Sequence, residues 1–170
     1  MPVTLILGGA RSGKSALAER LTLGAGAAPL YLATAESWDD EMRARIALHR
    51  TQRDGRGWRT IEVPLDLPKV LAAEAGPVLV DCLTLWLTNL MLAEHDIDAA
   101  TEALMAALDR PALTVLVANE VGLGIVPDNA LARRFRDAAG RLNQTIAARA
   151  DTVIFTAAGL PLVLKGQLGP

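Results

Sequence analysis

A glycine-rich segment near the N-terminus contains the residues with the clearest chemistry. The run G-G-A-R-S-G-K-S at positions 8–15 satisfies the P-loop pattern G-x-x-x-x-G-K-[ST]. Glycines in this pattern let backbone N–H groups turn toward a phosphate group. Lys14 would reach the β- and γ-phosphates, and the Ser15 hydroxyl would hold Mg²⁺. The spacing therefore predicts binding of a nucleoside triphosphate.

The segments before and after the P-loop are predicted to form the strand and the helix that a phosphate-binding loop connects. Aliphatic and β-branched residues at positions 3–7 predict a buried strand, and good helix formers at positions 16–21 predict a helix with no breaker before Gly24. A helix N-terminus at this point adds positive potential beside the phosphates. A glycine turn that matches the pattern by chance is the alternative, and the strand and helix beside it argue against that reading.

A carboxylate near the Mg²⁺ ion could come from either of two predicted strand ends. The apolar residues 78–80 are followed by Asp81, and a second apolar run, 113–118, is followed one residue later by Glu120. Phosphoryl transfer depends on positioning and charge neutralisation, so an acid beside the metal's water shell is expected. Both acids could instead be solvated strand ends. Asp81 fits the pattern of an apolar strand followed by aspartate better, so Ser15 and Asp81 are the expected metal residues.

The chain has two histidines, and their surroundings differ. His95 lies between two acids in a predicted loop, which favours an exposed surface residue. His49 lies on a predicted helix at positions 38–52, among arginines at positions 45, 50, 53 and 56. Neighbouring positive charge favours neutral imidazole, which could act as a nucleophile or base, and the arginines could bind phosphates. An amphipathic helix with one histidine on its polar face explains the pattern equally well.

Composition and charge limit the class of protein. The chain has 170 residues, of which 51% are hydrophobic and 21% charged, so we expect one folded domain spanning residues 1–170. Its 17 basic and 19 acidic residues leave a net charge of −2 without a basic run, which argues against a nucleic-acid partner. No apolar run is long enough for a membrane span, and no signal peptide is evident. The single cysteine, Cys82, is expected to be a buried structural thiol in a cytoplasmic protein.

Apolar segments alternate with helical patterns along the rest of the chain. Further strands are predicted at 30–33, 58–63, 78–81, 113–118 and 151–156, with an edge strand at 162–164, and helices at 65–75, 83–93, 97–108 and 129–150. This alternation indicates an α/β fold with a mostly parallel sheet and helices on both faces. Ligands bind at the carboxyl ends of such strands, so the P-loop and the other strand ends should surround one crevice. The last helix is expected to face the core with Leu131, Phe135, Leu142 and Ile146.

Several further segments are specific enough to suggest a family. Beside the P-loop they are D-D-E-M-R-A-R-I-A-L-H-R at 39–50, W-R-T-I-E at 58–62, D-C-L-T-L-W-L-T-N-L at 81–90, N-E-V-G-L-G-I-V-P at 119–127 and R-F-R-D-A-A-G-R-L-N-Q at 134–144. Together these segments resemble the bifunctional adenosylcobinamide kinase/adenosylcobinamide-phosphate guanylyltransferase family of adenosylcobalamin biosynthesis. The resemblance runs over nearly the whole chain.

The resemblance implies a RecA-like P-loop fold, a homotrimer and two reactions. In the first, ATP or GTP donates its γ-phosphoryl group to adenosylcobinamide. In the second, GTP donates GMP to adenosylcobinamide-phosphate through a GMP-histidine intermediate, giving adenosylcobinamide-GDP. By motif position the intermediate would form on His49, with Lys14 as the other catalytic residue. Neutral imidazole suits this role because it attacks the α-phosphorus and forms a reactive phosphoramidate.

The resemblance also implies a set of nucleotide contacts that extends beyond the P-loop. Its members lie on the glycine loop, at the ends of three predicted strands and on the histidine helix. They are Gly8, Gly9, Ala10, Arg11, Ser12, Gly13, Lys14, Ser15, Thr34, Ala35, Glu36, Arg50, Thr51, Gln52, Arg53, Glu62 and Asp81.

Two other functions are compatible with a P-loop. One is a kinase for another small-molecule alcohol, without guanylyltransferase activity and with His49 in a structural role. The other is a GTP-driven switch. Switch GTPases recognise guanine with an N-K-x-D motif, and no asparagine of this chain is followed by lysine. The sequence therefore argues against a switch.

Overall fold

The structure is a computed structural model that describes residues 2–26, 28–36, 55 and 57–168. The predicted helix at 38–52, including His49, lies outside these residues. Within them the strands are β1 (Val3–Gly8), β2 (Leu30–Ala33), β3 (Arg59–Glu62), β4 (Val78–Asp81), β5 (Thr114–Asn119), β6 (Thr152–Ala157) and β7 (Leu160–Lys165). The helices are α1 (Lys14–Gly24), α2 (Leu67–Ala73), α3 (Leu83–Leu92), α4 (Ile97–Ala107) and α5 (Ala130–Arg149).

The described strands form one seven-stranded sheet in the order β3-β2-β4-β5-β1-β6-β7. Every neighbouring pair is parallel except β6 and β7, which form an antiparallel hairpin at one edge. The first six strands therefore end at the same edge of the sheet, which confirms the predicted α/β fold. The predicted strand at 162–164 is also confirmed, as the longer edge strand β7.

Two apolar layers hold the helices against the sheet. One face of the sheet packs against α1 through Leu17 and Ala18. The opposite face packs against the other four described helices, where Trp86 of α3 is fully buried. Side chains alternate along each strand, so Leu5 and Ile6 of β1 enter different layers. Helices on both faces explain why the central strands are continuously apolar.

Two of the described helices begin with a side-chain cap. The Asp96 carboxylate accepts a hydrogen bond from the backbone N–H of Ala99, and the Asn129 side chain accepts one from Ala132, at 3.0 and 2.7 Å. One expectation for the last helix is wrong. Leu131, predicted to face the core, is 56% exposed, whereas Leu142 and Ile146 are buried. Leu131 lies only one residue past the helix start and on the first turn of α5, before the helix reaches the core.

None of the helices that the structure describes is long and apolar enough to cross a lipid bilayer.

A buried arginine, which the sequence did not reveal, ties together the edge of the sheet opposite the P-loop. The Arg110 guanidinium donates hydrogen bonds to the carbonyl oxygen of Glu74 at 2.8 Å, to the Thr114 hydroxyl at 2.9 Å and to the carbonyl oxygen of Gly76. Burial lowers the pKa of Arg110, and the nearby Glu74 carboxylate opposes that effect. The guanidinium thus joins the segments that precede β4 and β5.

Replacing this guanidinium should destabilise the fold. We expect Arg110→Met to lower the free energy of unfolding by about 2–4 kcal/mol, because several buried carbonyl oxygens lose their donor. Urea denaturation followed by circular dichroism measures the change. Arg149→Met is the matched control, since its ion pair with Asp109 lies at the surface and should contribute less than about 1 kcal/mol. Equal effects of the two substitutions would contradict this role of Arg110.

Candidate nucleotide-binding site

The P-loop connects β1 to α1 at the carboxyl edge of the sheet. Gly8 ends β1, and Gly13 is the residue before α1, with φ of 98°, a left-handed conformation that favours glycine. Helix α1 starts without a side-chain cap, so its first N–H groups are available to an anion. Gly9, Ala10 and Arg11 are exposed at the top of the loop. The local geometry is therefore that of a phosphate-binding loop.

Close packing under the loop explains the need for glycine at position 8. A β-carbon on Gly8 would lie 2.4 Å from the carbonyl oxygen of Thr156 and 2.6 Å from the Ser12 hydroxyl oxygen. The turn between β6 and β7 also contacts the loop, because the backbone N–H of Gly159 donates to the carbonyl oxygen of Ser12 at 2.9 Å. The P-loop thus lies directly on the β6–β7 hairpin.

The Lys14 ammonium group folds back over the loop. It donates to the carbonyl oxygen of Gly9 and lies 3.4 Å from the Ser12 hydroxyl oxygen. Burial lowers the pKa of Lys14, and the negative charge of Asp81 opposes this effect. A partly desolvated cation with few water contacts interacts strongly with phosphate oxygens.

Ser15 and Asp81 come together although 66 positions separate them. The Ser15 hydroxyl donates to Oδ2 of Asp81 at 3.2 Å, and the Tyr31 hydroxyl donates to the same oxygen at 2.7 Å. Asp81 ends β4, which is separated from β1 by β5 alone. A serine hydroxyl beside one carboxylate fits Mg²⁺, which takes one or two protein oxygens and completes its shell with water and phosphate.

Glu120, the alternative acid, points its carboxylate into its own loop. Its Oε1 atom accepts a hydrogen bond from the backbone N–H of Gly122 at 2.7 Å. The described residues contain no group of three or more His, Cys, Asp or Glu side chains arranged to hold a metal. The geometry therefore favours Asp81 over Glu120 as the acid beside the P-loop serine.

The other predicted contacts lie on neighbouring strand ends. In the sheet register Ala33 is paired with both Glu62 and Asp81, so these positions share one edge. Thr34 is buried, and its hydroxyl donates to the carbonyl oxygen of Cys82 at 2.7 Å, so its side chain links β2 to β4. Ala35 and Glu36 follow, partly exposed. The remaining predicted site residues, His49, Arg50, Thr51, Gln52 and Arg53, lie outside the described residues.

Cys82 and His95 match their predicted surroundings. Cys82 is buried, and burial together with the adjacent Asp81 charge raises its pKa to about 11, so the thiol stays protonated. His95 is exposed, as predicted.

Two residues beside the loop were not singled out from the sequence. Thr156 is buried, and its hydroxyl has no hydrogen-bond partner among the described residues. Gly159 lies in a two-residue turn with Ala158, both at positive φ. Five residues that include Gly159 separate the predicted strands 151–156 and 162–164, a hairpin signal that could have located this contact.

The fold and this site define a P-loop nucleotide-binding protein of the RecA-like class. A crystal structure of the RadB recombinase aligns with 99% of this chain and 83% of its own, at a TM-score of 0.57 and 14% sequence identity. At this identity the similarity establishes the fold alone.

The family is established by sequence. Residues 4–164 match the family described as cobinamide kinase / cobinamide phosphate guanyltransferase, and the chain belongs to it. It is 53% identical to the bifunctional adenosylcobalamin biosynthesis protein CobP of Pseudomonas aeruginosa, over 96% of this chain and 97% of the relative. It is 44% identical to the bifunctional adenosylcobalamin biosynthesis protein CobU of Salmonella typhimurium, over 95% of this chain and 98% of the relative. The predicted resemblance is confirmed.

The steric argument at Gly8 can be tested directly. We expect Gly8→Ala to raise the dissociation constant for GTP by roughly tenfold or more, since a strained loop no longer presents its N–H groups correctly. Isothermal titration calorimetry measures the affinity. Gly140→Ala on α5 is the matched control because its β-carbon meets open space. The control should bind GTP normally and gain about 0.5–1 kcal/mol in stability. Normal GTP binding by Gly8→Ala would contradict the argument.

Proposed function

We propose that the P-loop site of this chain serves both reactions of its family. The chain is an enzyme of adenosylcobalamin biosynthesis, a cobinamide kinase and cobinamide phosphate guanylyltransferase. The observation that carries the proposal is that Asp81 interacts both with the Lys14 ammonium group and with the Ser15 hydroxyl at one edge of the sheet. Relatives at 43–53% identity are named bifunctional. Their names do not favour the alternative function, a kinase for another small-molecule alcohol without guanylyltransferase activity.

In the kinase reaction we assign charge neutralisation to the P-loop. ATP or GTP would bind with its phosphates against the N–H groups of residues 8–15, and Lys14 would contact the β- and γ-phosphate oxygens. The hydroxyl oxygen of adenosylcobinamide then forms a bond to the γ-phosphorus and gives up its proton, while the bond from the γ-phosphorus to the bridging oxygen breaks and ADP or GDP leaves. Ser15 and Asp81 would hold Mg²⁺, which supplies further positive charge to the phosphates.

In the guanylyltransferase reaction we assign the nucleophile to His49. A neutral imidazole nitrogen forms a bond to the α-phosphorus of GTP, and pyrophosphate leaves. The phosphate group of adenosylcobinamide-phosphate then displaces the histidine, which yields adenosylcobinamide-GDP. Arg50, Thr51, Gln52 and Arg53, together with Thr34, Ala35, Glu36 and Glu62, complete the proposed nucleotide contacts. The resemblance of these segments to the motifs of the family supports these roles.

The quaternary structure and the cellular location of the enzyme are two further parts of this proposal. Resemblance to the family leads us to propose a homotrimer. Substrates such as ATP and GTP, and a lone buried cysteine that needs no oxidising compartment, support a cytoplasmic location.

A labelling experiment tests the assignment of His49. We expect wild-type protein incubated with Mg²⁺ and GTP labelled at the α-phosphate to acquire acid-labile, alkali-stable label, because a phosphoramidate has this stability. His49→Ala should acquire none. His95→Ala is the matched control, since it changes the other histidine, and it should be labelled like the wild type. Unlabelled wild-type protein would overturn the guanylyltransferase mechanism, and normal label on His49→Ala would overturn the choice of residue.

A pair of acid substitutions tests the metal assignment. We expect Asp81→Asn to raise the Mg²⁺ concentration for half-maximal kinase activity by roughly tenfold, because one charged metal contact is worth more than about 1 kcal/mol. Glu120→Gln is matched in chemistry, and its carboxylate is engaged within its own loop, so its Mg²⁺ dependence should stay at the wild-type value. Initial rates over a Mg²⁺ series measure both. The reverse pattern would place Glu120 at the metal.

A further inference from the structure

The loop that follows β5 exposes large apolar side chains beside the nucleotide site. In residues 121–126, V-G-L-G-I-V, the side chains of Leu123, Ile125 and Val126 are 80%, 97% and 59% exposed. The sequence has no charged residue between Glu120 and Asp128. Single exposed leucines are ordinary, whereas a cluster of this kind is typical of an interaction or ligand-binding surface. The P-loop chemistry leaves this segment unused.

Hydrogen bonds hold the 121–126 loop at both of its ends. At the start, the backbone N–H of Glu120 donates to the carbonyl oxygen of Gly8 at 3.0 Å, so the loop begins in contact with the P-loop. At the end, the Arg133 guanidinium donates to the carbonyl oxygens of Pro127 and Asp128 at 3.0 and 2.7 Å. The apolar side chains are therefore presented from a defined position.

An apolar groove continues from the end of this loop. It has a volume of about 370 Å³ and lies between the last turn of α3 and the first turns of α5, with Met91, Leu92, Leu131 and Phe135 among its lining residues. Asn129, which directly follows Asp128, also lines it. Leu92 and Leu131 are both more than half exposed. The apolar surface of the 121–126 loop is therefore followed by the apolar surface of the groove.

The strand order places the 121–126 loop where a phosphoryl acceptor must approach. β5 lies between β1, which ends in the P-loop, and β4, which ends in Asp81. A group that accepts phosphate near Lys14, Ser15 and Asp81 therefore sits above the end of β5. The other exposed apolar segment near the P-loop, on β7, is two strands away from β1 on the opposite side.

We propose that the 121–126 loop and the adjoining groove bind the corrin ring of the cobinamide substrate. This inference rests on the proposed function. The reacting hydroxyl is on a short arm of a large macrocycle, so the ring must rest on the protein surface beside the P-loop. A corrin ring carries methyl groups and uncharged amide side chains, which suit an apolar, uncharged surface better than a charged one. Glu120 marks where the ring surface meets the phosphate surface.

Substitutions of the most exposed side chains test this binding surface. We expect Leu123→Ser combined with Ile125→Ser to raise the KM for cobinamide by about tenfold or more, because the ring loses apolar contacts. At saturating cobinamide kcat should remain near the wild-type value, and the dissociation constant for GTP should not change. Both side chains lie in solvent, so the fold should be retained. Leu164→Ser on β7, exposed to 57%, is the matched control and should leave every constant unchanged.

Steady-state kinetics, GTP titration and size-exclusion chromatography separate the outcomes. An unchanged KM for cobinamide in the double variant, with an active wild type, would overturn this inference alone. A double variant that instead elutes as a smaller species would show that the loop is a contact between copies of the chain, and would also overturn it. A wild type that binds GTP but never phosphorylates cobinamide would overturn the proposed function, and this inference with it.

Discussion

The P-loop of this protein depends on the close contact between Gly8 and the end of β6. A β-carbon at position 8 would overlap the carbonyl oxygen of Thr156, so a side chain there would push the loop off the hairpin. With glycine, the loop lies against the β6–β7 turn, and the N–H of Gly159 holds the Ser12 carbonyl. The loop can then curl so that Lys14 folds over it and α1 begins with uncapped N–H groups. Phosphate binding by this loop therefore requires the backbone packing as well as the lysine.

The sheet order turns that loop into a site with several components. Because β5 alone separates β1 from β4, the Ser15 hydroxyl reaches the Asp81 carboxylate, which Tyr31 holds from β2. The same order puts the loop after β5 between the P-loop and Asp81. Parallel strands bring their carboxyl ends to one edge, and the proposed nucleotide, metal and acceptor sites all lie along it.

Electrostatics at this edge favour a bound polyphosphate. Burial lowers the pKa of Lys14, which means that the folded protein destabilises its cation relative to water. Asp81 partly compensates in the free protein. Phosphate oxygens would compensate far more, since they add negative charge where little water is present. Burial of Lys14 therefore has two effects. It lowers the stability of the free protein, and it strengthens the attraction between the ammonium group and a bound phosphate.

The local sequence determined most of the secondary-structure elements and motifs of this protein. The P-loop spacing, the apolar strands such as Val78–Asp81, the surface position of His95 and the family motifs could all be predicted, because each depends on a short run of residues. Tertiary structure alone brought Asp81 to Ser15, buried the Arg110 guanidinium, exposed Leu131 and placed the β6–β7 turn under the P-loop. These outcomes depend on which strands become neighbours, and the order of strands is set by burial of the whole core on both faces of the sheet.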